Sequence, residues 1–287
     1  MFICPNLKCR YNFYFNDMIF LEYFNSEEIV CPWCGKRLDL FKVFTDILKE
    51  GFDQLGLHYS LIGCEHKFEK ISLKPHELYT LDISERIGDG ELLYISYTPE
   101  GGDIFPLEHH SNTPQPHINQ ETIYLYGKPQ VDKAVETKIN ISYWIAPAEI
   151  KDDVSLRLLV DAFKRYYEKN YQYMVISAFT AVEIVQNQFF TNILNSSGIG
   201  KEKVEPFLKD HATFSYQFGI LLPLLVNKFK LPKMGQKVYD GLMNLKTDRD
   251  NIVHSGEPKS DWDINRIQRE LIAALFAFKY YKLISIE

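Results

Sequence analysis

The chain has 287 residues, is 46% apolar and 24% charged, and carries a formal net charge of −6. These values are ordinary for a globular protein of two or three domains. There is no run of about 18 apolar residues, which excludes a membrane-spanning helix, and the acidic balance excludes a chain-wide basic footprint for nucleic acid. Residues 1–70 are net −2, residues 71–150 net −7 and residues 151–287 net +3. Any nucleic-acid contact is therefore local, and the last segment is compatible with one. The first residues lack a signal-peptide pattern, so a cytoplasmic protein is expected, with its five cysteines reduced or metal-bound.

The first predicted element is a metal knuckle. Cys4-Pro-Asn-Leu-Lys-Cys9 and Cys31-Pro-Trp-Cys34-Gly35 form two cysteine pairs with 21 residues between them. Four thiolates suit tetrahedral zinc, and tight turns bring each pair to the metal. Pro32 sets one turn, and Gly35 tolerates the positive φ that follows. Tyr11–Phe15 and Ile19–Phe24 are aromatic-rich and read as the strands of a hairpin. The segment resembles a zinc ribbon, which implies a structural zinc on Cys4, Cys9, Cys31 and Cys34. In so short a segment the metal would supply much of the folding energy. The plainer alternative is four buried thiols acting as small hydrophobes. Four cysteines leave no open coordination position, so a catalytic zinc is not expected. Lys8, Arg10, Lys36 and Arg37 are too few to mark a nucleic-acid surface, and capping or protein contact is the expected role. Cys64 and His66 read as packing residues.

Asp39 to Leu55 has the apolar spacing of an amphipathic helix and connects the knuckle to the body, giving a first domain of residues 1–56. From 57 to 147 the period shortens. Leu78–Ile83, Leu92–Tyr97, Ile123–Tyr126 and Ile139–Ile145 read as strands, punctuated by glycine turns and a proline-rich loop from Pro106 to Pro116. This predicts an antiparallel, sandwich-like domain that binds or senses a ligand. His109, His110 and His117 lack a patterned carboxylate or cysteine and read as exposed loop residues rather than a metal site.

The last domain, 148–287, is predicted to be all-α. Helices are expected at Val154–Glu168, Tyr171–Leu194, Phe214–Phe229 (with a kink or break at Pro223), from Met234 into the stretch Lys246–Gly256, and from Asp263 to Leu283. Helices of this number and length suit an antiparallel bundle. The third is apolar on almost every side, which puts it in the core or at an interface.

Arg249-Asp-Asn-Ile-Val-His254 carries the chemistry. The helical part resembles a HEPN domain (higher eukaryotes and prokaryotes nucleotide-binding) over roughly Asp152 to Ile286. The resemblance rests on an arginine, a polar residue and a histidine at this spacing. It is extended by Ser255-Gly256 and by Ala178-Phe-Thr-Ala-Val-Glu183 in the second helix. It implies a metal-independent endoribonuclease of toxin or antiviral-defence type, working as a homodimer whose two motifs face each other. RNA is then the substrate, and a trigger protein or antitoxin is an expected partner.

The residues suit that chemistry. A histidine can give and take protons near neutral pH, which cleavage by a 2′-hydroxyl requires. Arg249 can hold a phosphate bidentately. Asn251 can donate to a phosphate oxygen, Asp250 can orient His254, Glu183 is placed to pair with Arg249 across the bundle, and Lys246 adds a supporting cation. Arg249 and His254 diverge by about 140° on a straight helix. They converge only if the helix frays or bends, or if a second copy supplies one of them. Two other readings remain. The arginine and histidine could be plain helix-end residues, or the protein could be a non-catalytic HEPN dimeriser or nucleotide-binding adaptor with a ligand-sensing sheet domain.

Overall fold

The computed structural model describes residues 2–284 except 5, 7, 10, 14–16, 27, 51–58, 60–61, 109–121 and 256–261. It is a mixed α+β protein with a helical C-terminal region, antiparallel sheets and a four-cysteine cluster near the N-terminus. Two compact units are present. Residues 1–55 join 154–287 in the first, and residues 56–153 form the second. The knuckle segment and the helical segment, expected as separate domains, thus share one unit, with the sheet segment between them in sequence. The physical reason is aromatic packing, described next.

In the first unit, β1 (Phe2–Ile3) pairs with β2 (Asn12–Phe13), and β3 (Ile29–Val30) pairs with β4 (Arg37–Leu38). Between the two ribbons lies a helix, α1 (Asp17–Ser26), where a strand over Ile19–Phe24 was expected. The residues explain the difference. Ile19, Phe20, Tyr23 and Phe24 are spaced to line one helical face, and all four are buried. The face packs on the closing helix of the chain, with Phe20 5.3 Å and Tyr23 5.0 Å from Phe276 and Phe24 5.2 Å from Tyr280 between ring centroids. Helix α2 (Leu40–Glu50) adds Phe41 and Phe44, at 5.4 Å and 5.6 Å from the same Phe276 ring. Lys279–Asp17 and Lys237–Asp39 ion pairs rim this contact.

The second unit has two three-stranded antiparallel sheets. β5 (Glu65–Leu73), β10 (Thr137–Ala146) and β7 (Glu91–Pro99) form one, with β10 central. β6 (Leu78–Asp82), β9 (Thr122–Pro129) and β8 (Ile104–Glu108) form the other, with β9 central. Alternate residues of both sheets meet in one aliphatic core that includes Leu73, Leu81, Leu125, Ile139 and Ile141. Two short helices, α3 (Ser84–Ile87) and α4 (Ala148–Lys151), complete the unit. Of β5 only the start, around His66, reads as strand-like from the pattern, and β8 was not expected. Both are edge strands, where charged residues and proline are tolerated because one row of backbone groups has no partner strand. Glu65, Lys67, Glu69 and Lys70 on β5 and Pro106 on β8 are of this kind.

Returning to the first unit, α5 (Val154–Tyr167) and α6 (Tyr171–Ser196) match the expected helices within two residues. Helix α7 (Lys201–Pro206) runs into a π-helical turn, Phe207–His211. The expected Phe214–Phe229 helix is α8 (Phe214–Tyr216), a second π turn (Gln217–Leu221) and α9 (Leu222–Phe229). Pro223 lacks an N–H and its ring crowds the carbonyl four residues back, and the wider π turn lies directly before it. Gln217 braces that turn by donating from Nε2 to the Ala212 carbonyl at 2.8 Å. Tyr216, Ile220 and Leu224 are exposed, so this segment is not buried all round. The motif helix α10 (Gln236–Ser255) and the closing helix α11 (Ile264–Leu283) end the described chain. Asp263 caps α11 by accepting from the Asn265 amide at 2.9 Å. Gly241 lets α10 and α11 approach closely, since a Cβ there would lie 2.5 Å from the Ala273 Cβ.

Candidate functional site

Two constellations bear on function, both in the first unit. The sulfur atoms of Cys4, Cys9, Cys31 and Cys34 all lie within 4.8 Å of one another, with 3.8 Å between Cys4 and Cys34 and 3.6 Å between Cys9 and Cys31. Backbone turns aim them. The Cys9 amide donates to the Asn6 carbonyl at 2.8 Å, and the Gly35 amide to the Cys31 carbonyl at 2.9 Å. Gly35 has φ +69°, the left-handed conformation expected for it. Tetrahedral coordination with metal–sulfur bonds of about 2.3 Å puts sulfur atoms roughly 3.8 Å apart, so four thiols here could bind a metal. The Lys36 amide draws Cys34 down to about 6, while burial drives Cys9 up to about 12. Cys64 lies outside the cluster, its thiol pushed up to about 12 by burial. The His66 ring stacks on Trp144 at 4.5 Å, 2.5 Å from the Ser142 hydroxyl. His109, His110 and His117 lie outside the described residues.

The second constellation is on α10. The helix continues unbroken through Ser255, so Arg249, Asp250, Asn251 and His254 all sit on it, not in a turn after it. An inward stripe of Val238, Gly241, Leu242, Leu245, Asp248 and Ile252 is buried. Arg249 lies at one edge of that stripe, its side chain one-third exposed. Its guanidinium carbon is 5.4 Å from the centre of the Phe179 ring on α6, a cation–π contact. Phe179 in turn begins an aromatic chain, with Phe214 at 4.8 Å, Phe218 5.7 Å beyond and Tyr239 of α10 stacked 4.7 Å from Phe218. Arg249 is thus oriented by packing that ends on its own helix.

Asp250 takes Arg249 at 3.1 Å and Lys246 at 2.6 Å as partners and does not orient His254. Burial opposes its ionisation, but hydrogen bonds and charge from Lys246 and Arg249 outweigh that and hold its carboxyl below the usual range. Glu183 is half-buried on α6, one turn beyond Phe179, and among the described residues no ion pair joins it to Arg249. Asn251 and His254 are exposed. The unbroken helix keeps Arg249 and His254 about 140° apart. One chain brings Lys246, Arg249 and Asp250 together and leaves His254 on a different face.

Three residues were missed by pattern reading. Asp248 is 2% exposed and Glu270 is fully buried, and both pair with Arg266, at 3.0 Å and 2.7 Å. Their signal was present: Asp248 occupies a core position of the stripe, and Glu270 stands before the apolar run Leu271–Phe278. Charge at positions that periodicity assigns to the interior was the clue.

Compared with family models, curated proteins and solved structures, the chain matches none.

Proposed function

We propose that the protein is a metal-independent endoribonuclease of the HEPN type, with the α5–α11 region as a HEPN bundle and two copies supplying one site. The observation that carries this reading is the division of labour on α10. Arg249 is an oriented, partly exposed cation at one edge of the helix, and His254 is an exposed acid–base group on another face. Neither can serve the other's phosphate within one chain, whereas a second copy related by a twofold axis can bring its His254 to the first copy's Arg249. In that site His254 takes the 2′-hydroxyl proton or protonates the leaving 5′-oxygen. Arg249 binds the phosphate, Asn251 donates to a phosphate oxygen, and Lys246 and Asp250 hold the guanidinium's surroundings. Among the described residues, those that can hold a metal are Cys4, Cys9, Cys31 and Cys34. Their chemistry and spacing fit structural zinc, in a ribbon-like module that supports the bundle through α1 and takes no part in cleavage. The sheet unit serves as a sensing or binding module of sandwich type, answering a trigger or restraining partner.

The test is cleavage of single-stranded RNA in EDTA. Wild-type protein is expected to cut. His254→Ala is expected to lose at least about a hundredfold while melting within a degree or two of wild type, because the side chain is exposed. Undiminished cutting by that variant removes the proposal. The adaptor reading has one observation in its favour, since Asp250 already neutralises Arg249. A dimer that binds nucleotide but never cleaves RNA would select it.

A further inference from the structure

Within the first unit, a groove of about 390 Å³ lies between the knuckle segment and the motif helix, walled by one face of α2, one face of α10 and Arg269 of α11. That volume falls in the range of small-molecule sites, roughly 300–1,000 Å³. The ion pair between Lys237 and Asp39 ties the start of α10 to the start of α2. From there α2 lines the groove as far as Lys49, and α10 as far as Asn244. The two helices therefore run the same way, and the groove is roughly 10–12 Å long.

The charges on its walls are unequally satisfied. Four cations, Lys42, Lys49, Lys237 and Arg269, share it with three acids, Asp39, Asp46 and Asp240. Lys237 and Asp39 neutralise each other. Lys42 and Lys49 divide one carboxylate, Asp46, at 3.5 Å and 3.9 Å, pairs that their exposure weakens. The Arg269 guanidinium is exposed and has no ion pair or hydrogen bond among the described residues. Lys42, Lys49 and Arg269 against Asp46 leave two positive charges in excess. Asp240 accepts from Gln236 Nε2 at 2.7 Å and has no cation on it among the described residues, and the Asn244 side-chain amide has no partner there.

We propose that this groove binds a phosphate monoester with a hydroxyl-bearing body, its phosphate held by Arg269, Lys42 and Lys49 and its hydroxyls by Asp240 and Asn244. Near neutral pH such a phosphate carries about −1.5 to −2 charge on three terminal oxygens, which matches the excess. A carboxylate brings half that charge and two oxygens. A guanidinium can meet two phosphate oxygens side by side, while the lysines of α2 act as point charges. Phe41, buried in the wall, offers the carbon skeleton a small apolar contact. Three acids in so short a groove disfavour a nucleic-acid strand with a phosphate at every step. Arg249 and His254 do not line it, and the inference goes beyond the ribonuclease reading without resting on it.

The experiment is titration calorimetry of the full-length chain with glucose 6-phosphate, inorganic phosphate and malonate. Wild type is expected to bind glucose 6-phosphate at millimolar concentration or below, more tightly than the other two, and more weakly as salt is raised. Arg269→Gln is expected to weaken binding about tenfold or more, and Lys49→Gln to weaken it less. Both side chains are exposed, so both variants should melt as wild type does. No binding of either phosphate at millimolar concentration overturns the proposal, as does tighter binding of malonate or undiminished binding by Arg269→Gln. Equal affinity for inorganic phosphate overturns the assignment to an ester. Binding lost in Arg249→Gln and kept in Arg269→Gln would belong to the motif and overturns it too. A protein that binds the ester through Arg269 and cuts no RNA keeps the groove and loses the ribonuclease reading.

Discussion

The two units are stabilised by different interiors. The sheet unit is filled mainly by isoleucine and leucine from two sheets, with Tyr143 beside them and Thr137 as its buried polar side chain among the described residues. The knuckle–helix unit buries Asp248, Glu270, Gln186, Gln217 and Gln268 among rings such as Phe20, Phe179 and Phe276. An aliphatic core is specified by pattern and volume and tolerates repacking. A core with charges and amides is specified by pairing, and losing one partner strands another in low dielectric. The unit with the paired interior also contains both candidate sites. Fixed side-chain orientation is what such sites need.

The largest effect expected falls on the knuckles. Structural zinc in small modules contributes an apparent 10–16 kcal/mol or so, nearly all of it folding free energy. Cys31→Ser, or a strong chelator, is therefore expected to remove bound zinc and to raise amide exchange across residues 2–38 by orders of magnitude. The loss should spread into α1 and the end of α11 through Phe20, Tyr23 and Phe24 on Phe276 and Tyr280, and should leave β5–β10 unchanged. Zinc content by elemental analysis and exchange by mass spectrometry read both parts. Full protection of residues 2–38 in the serine variant would show that the metal is dispensable there.

Next in size is a paired comparison of the interiors. Phe276→Ala removes a fully buried ring that touches α1 and α2, and is expected to cost about 3–5 kcal/mol. Ile141→Ala opens a cavity in the middle of β10 and should cost about 2–4 kcal/mol. If the units are separately stabilised, each variant loosens amide exchange in its own unit alone. Equal loosening of both units by either variant would mean one cooperative core, and the contrast drawn above would fail.

What could be read from residues alone follows the same contrast. The cysteine pairs, four strands and six helical stretches were legible because each repeats a simple period or spacing. Helix α1 was misread as a strand because aromatic residues favour strands when nothing else is known, and only Phe276 and Tyr280, more than 250 positions away in sequence, make the helical spacing decisive. The joining of residues 1–55 to 154–287 was illegible for the same reason. At the motif, Arg249 and His254 were found as residue types. The partners of Arg249 were not, because Glu183 and Phe179 stand one turn apart on α6 and side-chain direction decides between them.

The smallest effect tests how strongly the motif's surface charges are tied. Lys246 and Asp250 pair at 2.6 Å with about a quarter to a third of each side chain exposed, so solvent screens most of their attraction and the pair is worth under about 1 kcal/mol. The Asp250 carboxyl is held below its usual range, and the stability it brings is therefore present at neutral pH and lost as pH falls through that lowered value. Lys246→Ala is expected to lower stability slightly at pH 7, with wild type and variant converging once the carboxyl is protonated at strongly acidic pH. The variant's acid limb should begin at higher pH, because one of the two groups that favour the carboxylate is gone. In high salt the neutral-pH difference should shrink. Urea unfolding at low and high salt reads the change. A salt-insensitive Lys246 effect would show the pair to be part of the packed interior, and Arg249 would then be held by the core on both sides.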